Sequence, residues 1–228
     1  NDKCKMSMYS VKGVYSDALA NFGYKAEKGQ MLSKSANLKK EVNILFGNQS
    51  PYDFEDTKRS WRNNRVSAVP DENGNMPDPF VDVLNDKLTM KLESQETDEN
   101  GDPKYPAVTR VANVTGILAA DSSVGYETSY YCFMDIEDLR ELYKEYKRTN
   151  KIRDTKDPNT PNTNTLENYS EVKVKVSDID LVSEVDKAIK AMGFDTYSLE
   201  SIREPMQKQM QQQQLFLGSL AAISLLVA

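Results

Sequence analysis

The first half of the chain alternates between apolar and polar residues over short runs, which is typical of β-strands that bury one face. In the run 86–92, for example, Leu88, Met90 and Leu92 fall on the same face. Polar stretches rich in Asn, Asp, Gly and Pro separate the runs and predict loops. The predicted strands are 6–15, 41–46, 86–92 and 105–118, the predicted loops are 69–79 and 98–103, and a short helix is predicted at 52–61.

From residue 127 the pattern changes to strands that alternate with helices. The segment 127–133 predicts a strand, and Asp135 predicts the N-cap of the helix that follows it. Apolar residues at helical spacing along this helix are Ile136, Leu139, Leu142 and Tyr146. The tract 149–170, rich in Asn, Thr and Pro, predicts a mobile surface loop.

A strand-helix-strand unit is predicted after this tract. Valines alternate with charged residues at 171–176, which predicts the first strand. The helix is expected to begin at an N-cap formed by Asp178 or Asp180 and to end at Gly193. A short strand at 195–198 would complete the unit.

Together these elements predict an α+β fold in which a β-rich segment interrupts a mixed α/β core. The core subdomain is expected to be discontinuous, over 1–33 and 127–205, with an inserted β-rich subdomain at 34–126. The remaining residues, 206–228, are expected to form a stalk helix and the start of a transmembrane helix.

The chain carries no charged residue from 215 to 228. As a helix this run would be about 21 Å long, against a hydrocarbon core of roughly 30 Å. One interpretation is a buried core helix or an amphipathic tail. The other is a transmembrane helix of which the sequence holds only the first part, entered from the Gln-rich segment 206–214.

The transmembrane interpretation is favoured because the run is apolar on every face, whereas a surface helix carries a polar stripe. It also contains Gly, Ala and Ser residues of the kind that line contacts between membrane helices. The residues expected to enter the membrane are Phe216, Leu217, Gly218, Leu220, Ile223, Leu225, Leu226 and Val227.

Composition and charge exclude several classes of function. The 228 residues include 29 Lys and Arg against 35 Asp and Glu, a net charge of −6, so no nucleic-acid partner is expected. The chain has no His, which excludes Ser-His-Asp and Cys-His nucleophile systems and H-E-x-x-H zinc sites. Gly-rich phosphate-binding motifs are also absent from the sequence. We therefore expect no catalytic residues, no cofactor and no metal site.

An acidic loop and a cysteine pair each leave an alternative open. Residues 98–102 match the start of a calcium loop, but Pro103 and Thr109 stand where that loop needs Gly and Glu. A solvated hairpin turn is therefore favoured. Cys4 and Cys132 could pair outside the cytoplasm or remain two free thiols, and free thiols are favoured.

Several segments occur in an order that resembles a known family. Near the end of the chain come the strand 171–176, the helix ending at 192–194, the Gln-rich approach 207–214 and the apolar run 216–227. Before them come VKGV at 11–14, EKGQ at 27–30, NILFG at 43–47 and VTGIL at 114–118. In this order they resemble the MacB-like extracytoplasmic core domain of FtsX-like ABC transporter permeases, where that domain joins the second transmembrane helix.

The resemblance implies a non-catalytic extracellular domain of a permease in the cell membrane. A cytoplasmic ATPase subunit, which this domain does not contact, would supply the motion. The domain would engage a substrate or partner and transmit that motion across the membrane, in export of peptides, antibiotics or lipoproteins or in mechanotransmission. The lipid bilayer and a second permease copy or related subunit are further implied partners. The absence of His and the presence of only two Cys suit a Gram-positive bacterium.

Two other functions compete with this one. The first is a membrane-anchored extracellular binding or signalling module without transport. The second is an enzyme that uses carboxylates alone, which the missing histidines and motifs disfavour.

Overall fold

The chain forms two compact units in the computed structural model, Asn1–Ser170 and Glu171–Ala228. The structure describes residues 3–7, 11–121, 126–152, 169, 171–198 and 209–217. These residues form a mixed α/β structure with a mixed β-sheet in the first unit, which confirms the predicted combination of helices and strands.

The elements of each unit are as follows in chain order. The strands of the first unit are β1 (Cys4–Lys5), β2 (Val11–Val14), β3 (Ala26–Gly29), β4 (Glu41–Phe46), β5 (Glu55–Asp56), β6 (Leu88–Leu92), β7 (Val108–Leu118) and β8 (Cys132–Asp135). Its helices are α1 (Ala18–Asn21), a 3₁₀-helix (Ser50–Asp53), α2 (Glu127–Tyr130) and α3 (Ile136–Thr149). The second unit has a 3₁₀-helix (Ile179–Leu181), α4 (Val182–Ala191) and α5 over 209–217.

The main sheet of the first unit has the strand order β2-β8-β4-β7-β3, and β6 also pairs with β7. The β2–β8 and β4–β7 pairs are parallel, whereas β4–β8, β3–β7 and β6–β7 are antiparallel. Strands from 1–33, 34–126 and 127–205 all take part, so the sheet joins the predicted core to the predicted β-rich segment. A second, two-stranded sheet pairs β1 with β5.

Strand β4 is buried on both faces, which explains why its sequence is a nearly continuous apolar run. Val42, Ile44 and Phe46 belong to a core cluster that also contains Leu142 of α3. Leu45 belongs to a second cluster, together with Leu19, Tyr24, Leu32, Leu118 and Phe133. Alternate β4 side chains therefore contribute to two separate cores.

Helix α3 begins at the predicted N-cap. The Asp135 carboxylate accepts a hydrogen bond from the Glu137 N–H at 3.1 Å and another from the Ser16 N–H at 3.3 Å. The helix lies close to β2 at Gly13, where a Cβ atom would be 2.8 Å from Cδ2 of Leu139. A glycine at this position therefore lets α3 pack directly on the edge strand of the sheet.

The predicted strands at 41–46, 86–92 and 105–118 are confirmed as β4, β6 and β7, with ends that differ by a few residues. The last two form the predicted hairpin, in a register that pairs Leu88 with Ala112 and Leu92 with Val108. The alternation of apolar and polar residues was sufficient to predict this hairpin, because both strands present a single apolar face to the same core.

The strand predicted at 127–133 is wrong in its first part, since 127–130 forms α2 and β8 begins only at Cys132. The backbone after β4 binds this helix, because the Asn48 N–H donates to the Thr128 C=O at 2.9 Å. The Gln49 N–H likewise donates to the Ser129 C=O at 3.0 Å. These bonds to a distant segment override the β-propensity of Thr, Ser and Tyr.

The helix predicted at 52–61 is also wrong. A 3₁₀-helix ends at Asp53, and β5 follows at once. The Asp56 N–H donates to the Asn64 C=O at 2.8 Å, not to a carbonyl group four residues before it. The backbone after β5 is therefore a closed loop.

The second unit departs from the strand-helix-strand prediction. The segments 171–176 and 195–198 are not β-strands in the structure. The hydroxyl groups of Thr196 and Ser198 donate to the Asp186 carboxylate of α4, at 2.5 and 3.1 Å. Side-chain bonds to the helix, not a ladder of backbone bonds, therefore hold the second segment. The predicted loop 149–170 lies largely outside the described residues.

Helix α4 ends at the predicted glycine. Gly193 has a φ of 88°, and its N–H donates to the Lys190 C=O at 2.9 Å. The Phe194 N–H donates to the Ile189 C=O at 3.4 Å. This pair of bonds is a Schellman motif, which requires a left-handed residue just after the helix.

Candidate functional site

The residues predicted to enter the membrane are only partly within the described structure. Phe216 and Leu217 are the last described residues of α5, and 65% and 63% of their surface is exposed. The remaining predicted residues, Gly218, Leu220, Ile223, Leu225, Leu226 and Val227, lie outside the described residues.

Helix α5 changes from polar to apolar along its axis. Gln209, Gln212, Gln213, Phe216 and Leu217 border the same open pocket beside this helix. The spacing of these residues places them on a single side of the helix. In the part of the chain that the structure describes, no helix is long and apolar enough to cross a bilayer.

A second exposed feature is the Trp61 loop, which we define as residues 56–64. Asp56 anchors its base and is almost fully buried. Its carboxylate accepts a hydrogen bond from the Lys58 N–H at 3.0 Å and one from Nε of Arg59 at 3.1 Å. The Lys58 N–H is the main reason that the pKa of Asp56 lies below its ordinary value, and the charges of Lys3 and Arg59 add to it.

Further bonds join the base of the Trp61 loop to its surroundings. The Thr57 N–H and hydroxyl both donate to the Lys3 C=O, at 2.8 and 3.0 Å. The guanidinium of Arg59 lies 4.6 Å from the ring centroid of Phe80. Glu55, just before the loop, accepts from the Asn64 amide at 3.3 Å. The base is thus held by backbone bonds, an ion pair and a ring contact.

The tip of the Trp61 loop is a β-turn closed by the Asn63 N–H, which donates to the Ser60 C=O at 2.9 Å. Trp61 and Arg62 occupy its two central positions. The indole is 78% exposed, and the guanidinium of Arg62 lies 5.2 Å from its ring centroid. A large apolar side chain is therefore presented to solvent by a hydrogen-bonded turn.

Positive charge surrounds this tip. The segment 57–65 contains Lys58, Arg59, Arg62 and Arg65 and no acidic residue, in a chain whose net charge is −6. Arg59 and Arg65 form ion pairs with Asp56 and Glu55 at the base. Among the described residues no carboxylate pairs with Lys58 or Arg62. Arg62 contacts the exposed indole, Lys58 is exposed three positions before it, and these two cations carry the local charge.

Other charged groups of the first unit join its elements together. Nζ of Lys12 on β2 lies 2.7 Å from Oε1 of Glu127 on α2, and the Tyr24 hydroxyl donates to the other oxygen of that carboxylate. Arg110 on β7 is buried and pairs with Glu145 of α3 at 2.5 Å. These pairs attach α2 and α3 to the sheet.

The acidic loops form turns through their own carboxylates. Oδ1 of Asp98 accepts from the N–H groups of Asn100 and Asp102, at 2.8 and 3.0 Å. Asp71 binds Asn73 and Asn75 in the same way. The predicted turn is confirmed, since these oxygens bind the backbone of their own loop. Within the described ranges no group of three or more Cys, Asp or Glu residues could hold a metal ion.

Cys4 and Cys132 are free thiols, as favoured from the sequence. Cys132 is buried in the core beside β4, and Cys4 is half-buried on β1. Burial raises the pKa of Cys132 to about 12, because a thiolate has no water to solvate it there.

The free energy of unfolding should depend on the ionisation of the Cys132 thiol. Because the folded pKa exceeds the ordinary value of 9.0, the unfolded chain loses this proton first as the pH rises. The free energy of unfolding should then fall by up to about 1.4 kcal/mol per pH unit between the two pKa values.

The Cys132 thiol should also resist alkylation in the folded protein. We expect iodoacetamide to modify Cys4 in native protein and Cys132 only in denaturant, as mass spectrometry of peptides would show. Equal rates at the two sites in native protein would contradict the burial of Cys132.

Sequence reasoning missed the Trp61 loop as a functional feature. The signal was present, since the only Trp of the chain stands among four basic residues within nine positions that hold no acid. This cluster indicates a functional surface only if the indole is exposed to solvent. A Trp in an alternating or helical pattern is more commonly a core residue. The turn at 60–63 and the buried anchor Asp56 establish that exposure.

Comparison of the chain with protein-family models, curated proteins and solved structures finds no match. The function must therefore be argued from the residues described above.

Proposed function

We propose that this chain is a non-catalytic extracellular domain of an FtsX-like ABC transporter permease. In this proposal the domain engages a substrate or partner outside the cell and transmits ATP-driven motion through its C-terminal helix. A cytoplasmic ATPase subunit and a second permease copy or related subunit complete the transporter. A Gram-positive bacterium is the proposed source.

The exposed apolar end of α5 carries this proposal. A soluble helix that ends a folded domain normally buries its apolar residues or presents a polar stripe. In α5 the glutamines give way to Leu215, Phe216 and Leu217, all of which are well exposed. The sequence continues from there without a charged residue to 228. A polar helix that becomes apolar along its axis suits a stalk that enters a bilayer.

The strands of the first unit supply a second line of support. The segments 11–14, 27–30, 43–47 and 114–118, which resemble the family, correspond to β2, β3, β4 and β7 and their immediate ends. A sheet packed against a core on each side suits a domain that transmits motion as one body.

The orientation of the chain in living cells tests this proposal. We would replace exposed Lys25 by Cys in a Cys4→Ser background, and leave the unreactive Cys132 in place. A membrane-impermeant maleimide should label this variant in intact cells to the same extent as in permeabilised cells. The Cys4→Ser chain without the new cysteine is the matched control and should remain unlabelled. Labelling only after permeabilisation would place the domain in the cytoplasm and overturn the proposal.

A membrane-anchored extracellular binding module is the second candidate, and the Trp61 loop favours it because exposed Trp and Arg side chains are typical of binding surfaces. Co-purification of the membrane-embedded protein in mild detergent separates the two functions. A permease domain should bring down an ATPase subunit, whereas a binding module should be extracellular and free of one.

A further inference from the structure

We infer that the Trp61 loop docks on the surface of an anionic lipid bilayer, with Trp61 in the interface and Lys58 and Arg62 against the headgroups. This inference rests on the proposed function in one respect, which is that the domain is tethered beside a membrane. Its chemistry is independent of any ATPase or transported substrate.

The composition of the tip matches a membrane interface. Trp is enriched at the boundary between hydrocarbon and water, because its ring is apolar and its N–H remains hydrated. Trp61 is presented at the tip of a turn with its indole 78% exposed. Arg62 lies against the indole and Lys58 is exposed three positions before it, and lysine and arginine are the side chains that anionic headgroups attract.

The net charge of the chain favours contact with an anionic bilayer through the Trp61 loop. The protein has a net charge of −6, so an anionic bilayer would repel the chain as a whole. The Trp61 loop is locally basic, with Lys58, Arg59 and Arg62 against Asp56. Contact through this loop therefore offers local attraction to a chain that is acidic overall.

The shape of the loop favours a lipid surface over a protein partner. A protein that bound Trp61 as an anchor would need a pocket that encloses the indole. The structure presents the indole on an exposed β-turn, and a fluid bilayer accepts a single exposed side chain without a preformed pocket. The hydrogen-bonded base reduces the entropy lost on docking, because Asp56 already holds Lys58 and Arg59 just before the turn.

One Trp and two cations bind a bilayer weakly in isolation, and a tether makes this contact effective. A neighbouring membrane anchor turns docking into an intramolecular step, for which the effective concentration can reach the millimolar range. The expected result is a contact that forms and breaks readily while the chain stays in the membrane.

The fluorescence of Trp61 tests this inference directly, because the chain has only one Trp. The 228-residue chain would be mixed with vesicles of phosphatidylglycerol or of phosphatidylcholine, some of them containing brominated acyl chains. With anionic vesicles we expect the emission to shift to shorter wavelength and the bromines to quench it. With zwitterionic vesicles we expect neither change, even where the apolar run 215–228 holds the chain on the vesicle.

Charge variants measure the contribution of the two cations. Lys58→Gln and Arg62→Gln should each weaken the fluorescence-detected affinity for anionic vesicles about fivefold, and added salt should weaken it further. Lys25→Gln and Lys39→Gln are the matched controls, since both replace exposed lysines outside the loop with the same loss of charge. Circular dichroism would verify that each variant is folded.

Three outcomes would overturn the inference. The first is an unchanged Trp61 emission on anionic vesicles, which excludes docking even where the chain sediments with them. The second is an equal effect of the loop and control variants, which indicates general attraction. The third is a shift with soluble polyglutamate but not with vesicles, which indicates an acidic protein partner. None of these outcomes bears on cell-surface labelling, so the proposed function can stand or fail separately.

Discussion

Phe133→Ala is expected to lower the free energy of unfolding of the first unit by about 3–5 kcal/mol. Phe133 lies on β8 with only 1% of its surface exposed, in the cluster that contains Leu45 and Leu118. Removing the ring leaves a cavity between the sheet and the segments that cover it, and the surroundings can fill it only in part.

The aromatic contact of Phe133 adds to this effect. Its ring meets that of Tyr24 edge-on, with centroids 5.7 Å apart and planes at 72°. Such pairs contribute about 0.5–1.5 kcal/mol beyond the area that they bury. The Tyr24 hydroxyl in turn binds Glu127, so loss of the ring also loosens the attachment of α2.

Urea denaturation followed by far-UV circular dichroism would measure the change. Tyr126→Ala is the matched control, since the side chain is 80% exposed and its removal should cost no more than about 0.5 kcal/mol. Phe133→Leu should fall between them, at about 1 kcal/mol. Similar losses for Phe133→Ala and Tyr126→Ala would contradict the packing described for β8.

Gly116→Ala is expected to lower the free energy of unfolding of the first unit by about 3 kcal/mol. Gly116 lies opposite Gly29 where β7 pairs with β3, and β4 flanks β7 on its other side. A Cβ on Gly116 would lie 2.6 Å from the Lys28 C=O oxygen and closer still to that of Gln30. Because these atoms belong to the backbone, one strand must move to make room.

The expected loss for Gly116→Ala comes from close approach, not from backbone conformation. Gly116 does not have a positive φ, so alanine could adopt its dihedral angles. Gly101→Ala is the matched control, because Gly101 has a φ of 86° and open space around it. That change should cost about 1–2 kcal/mol from left-handed strain alone. If denaturation curves gave Gly116→Ala the smaller loss, the narrow spacing of β3 and β7 would be disproved.

Elements whose cause is local were predictable from the sequence. The alternation in 86–92 and the apolar run at 41–46 each reflect the faces that β6 and β4 bury. The N-cap at Asp135 and the left-handed Gly193 depend on hydrogen bonds that span two to five residues. Such bonds can be inferred from residue type and spacing.

The candidate functional site was predictable only in part. The apolar character of Phe216 and Leu217 follows from composition, whereas their exposure in α5 is a property of the folded chain. Trp61 stood in a segment predicted as helix, because its local pattern gave no sign of the bond between Asp56 and Asn64. A closed loop with an exposed indole depends on that bond and on the buried carboxylate below it.

From the sequence alone one can derive a mixed α/β chain without histidine, with a polar helix that leads into an uncharged end. Each of these properties follows either from the amino-acid composition or from a pattern of residues close together in the sequence. The position of β8 between β2 and β4, the helical state of 127–130 and the approach of Gly29 to Gly116 came from the folded structure. Each depends on backbone contacts between segments far apart in the chain, and local propensity does not encode such contacts.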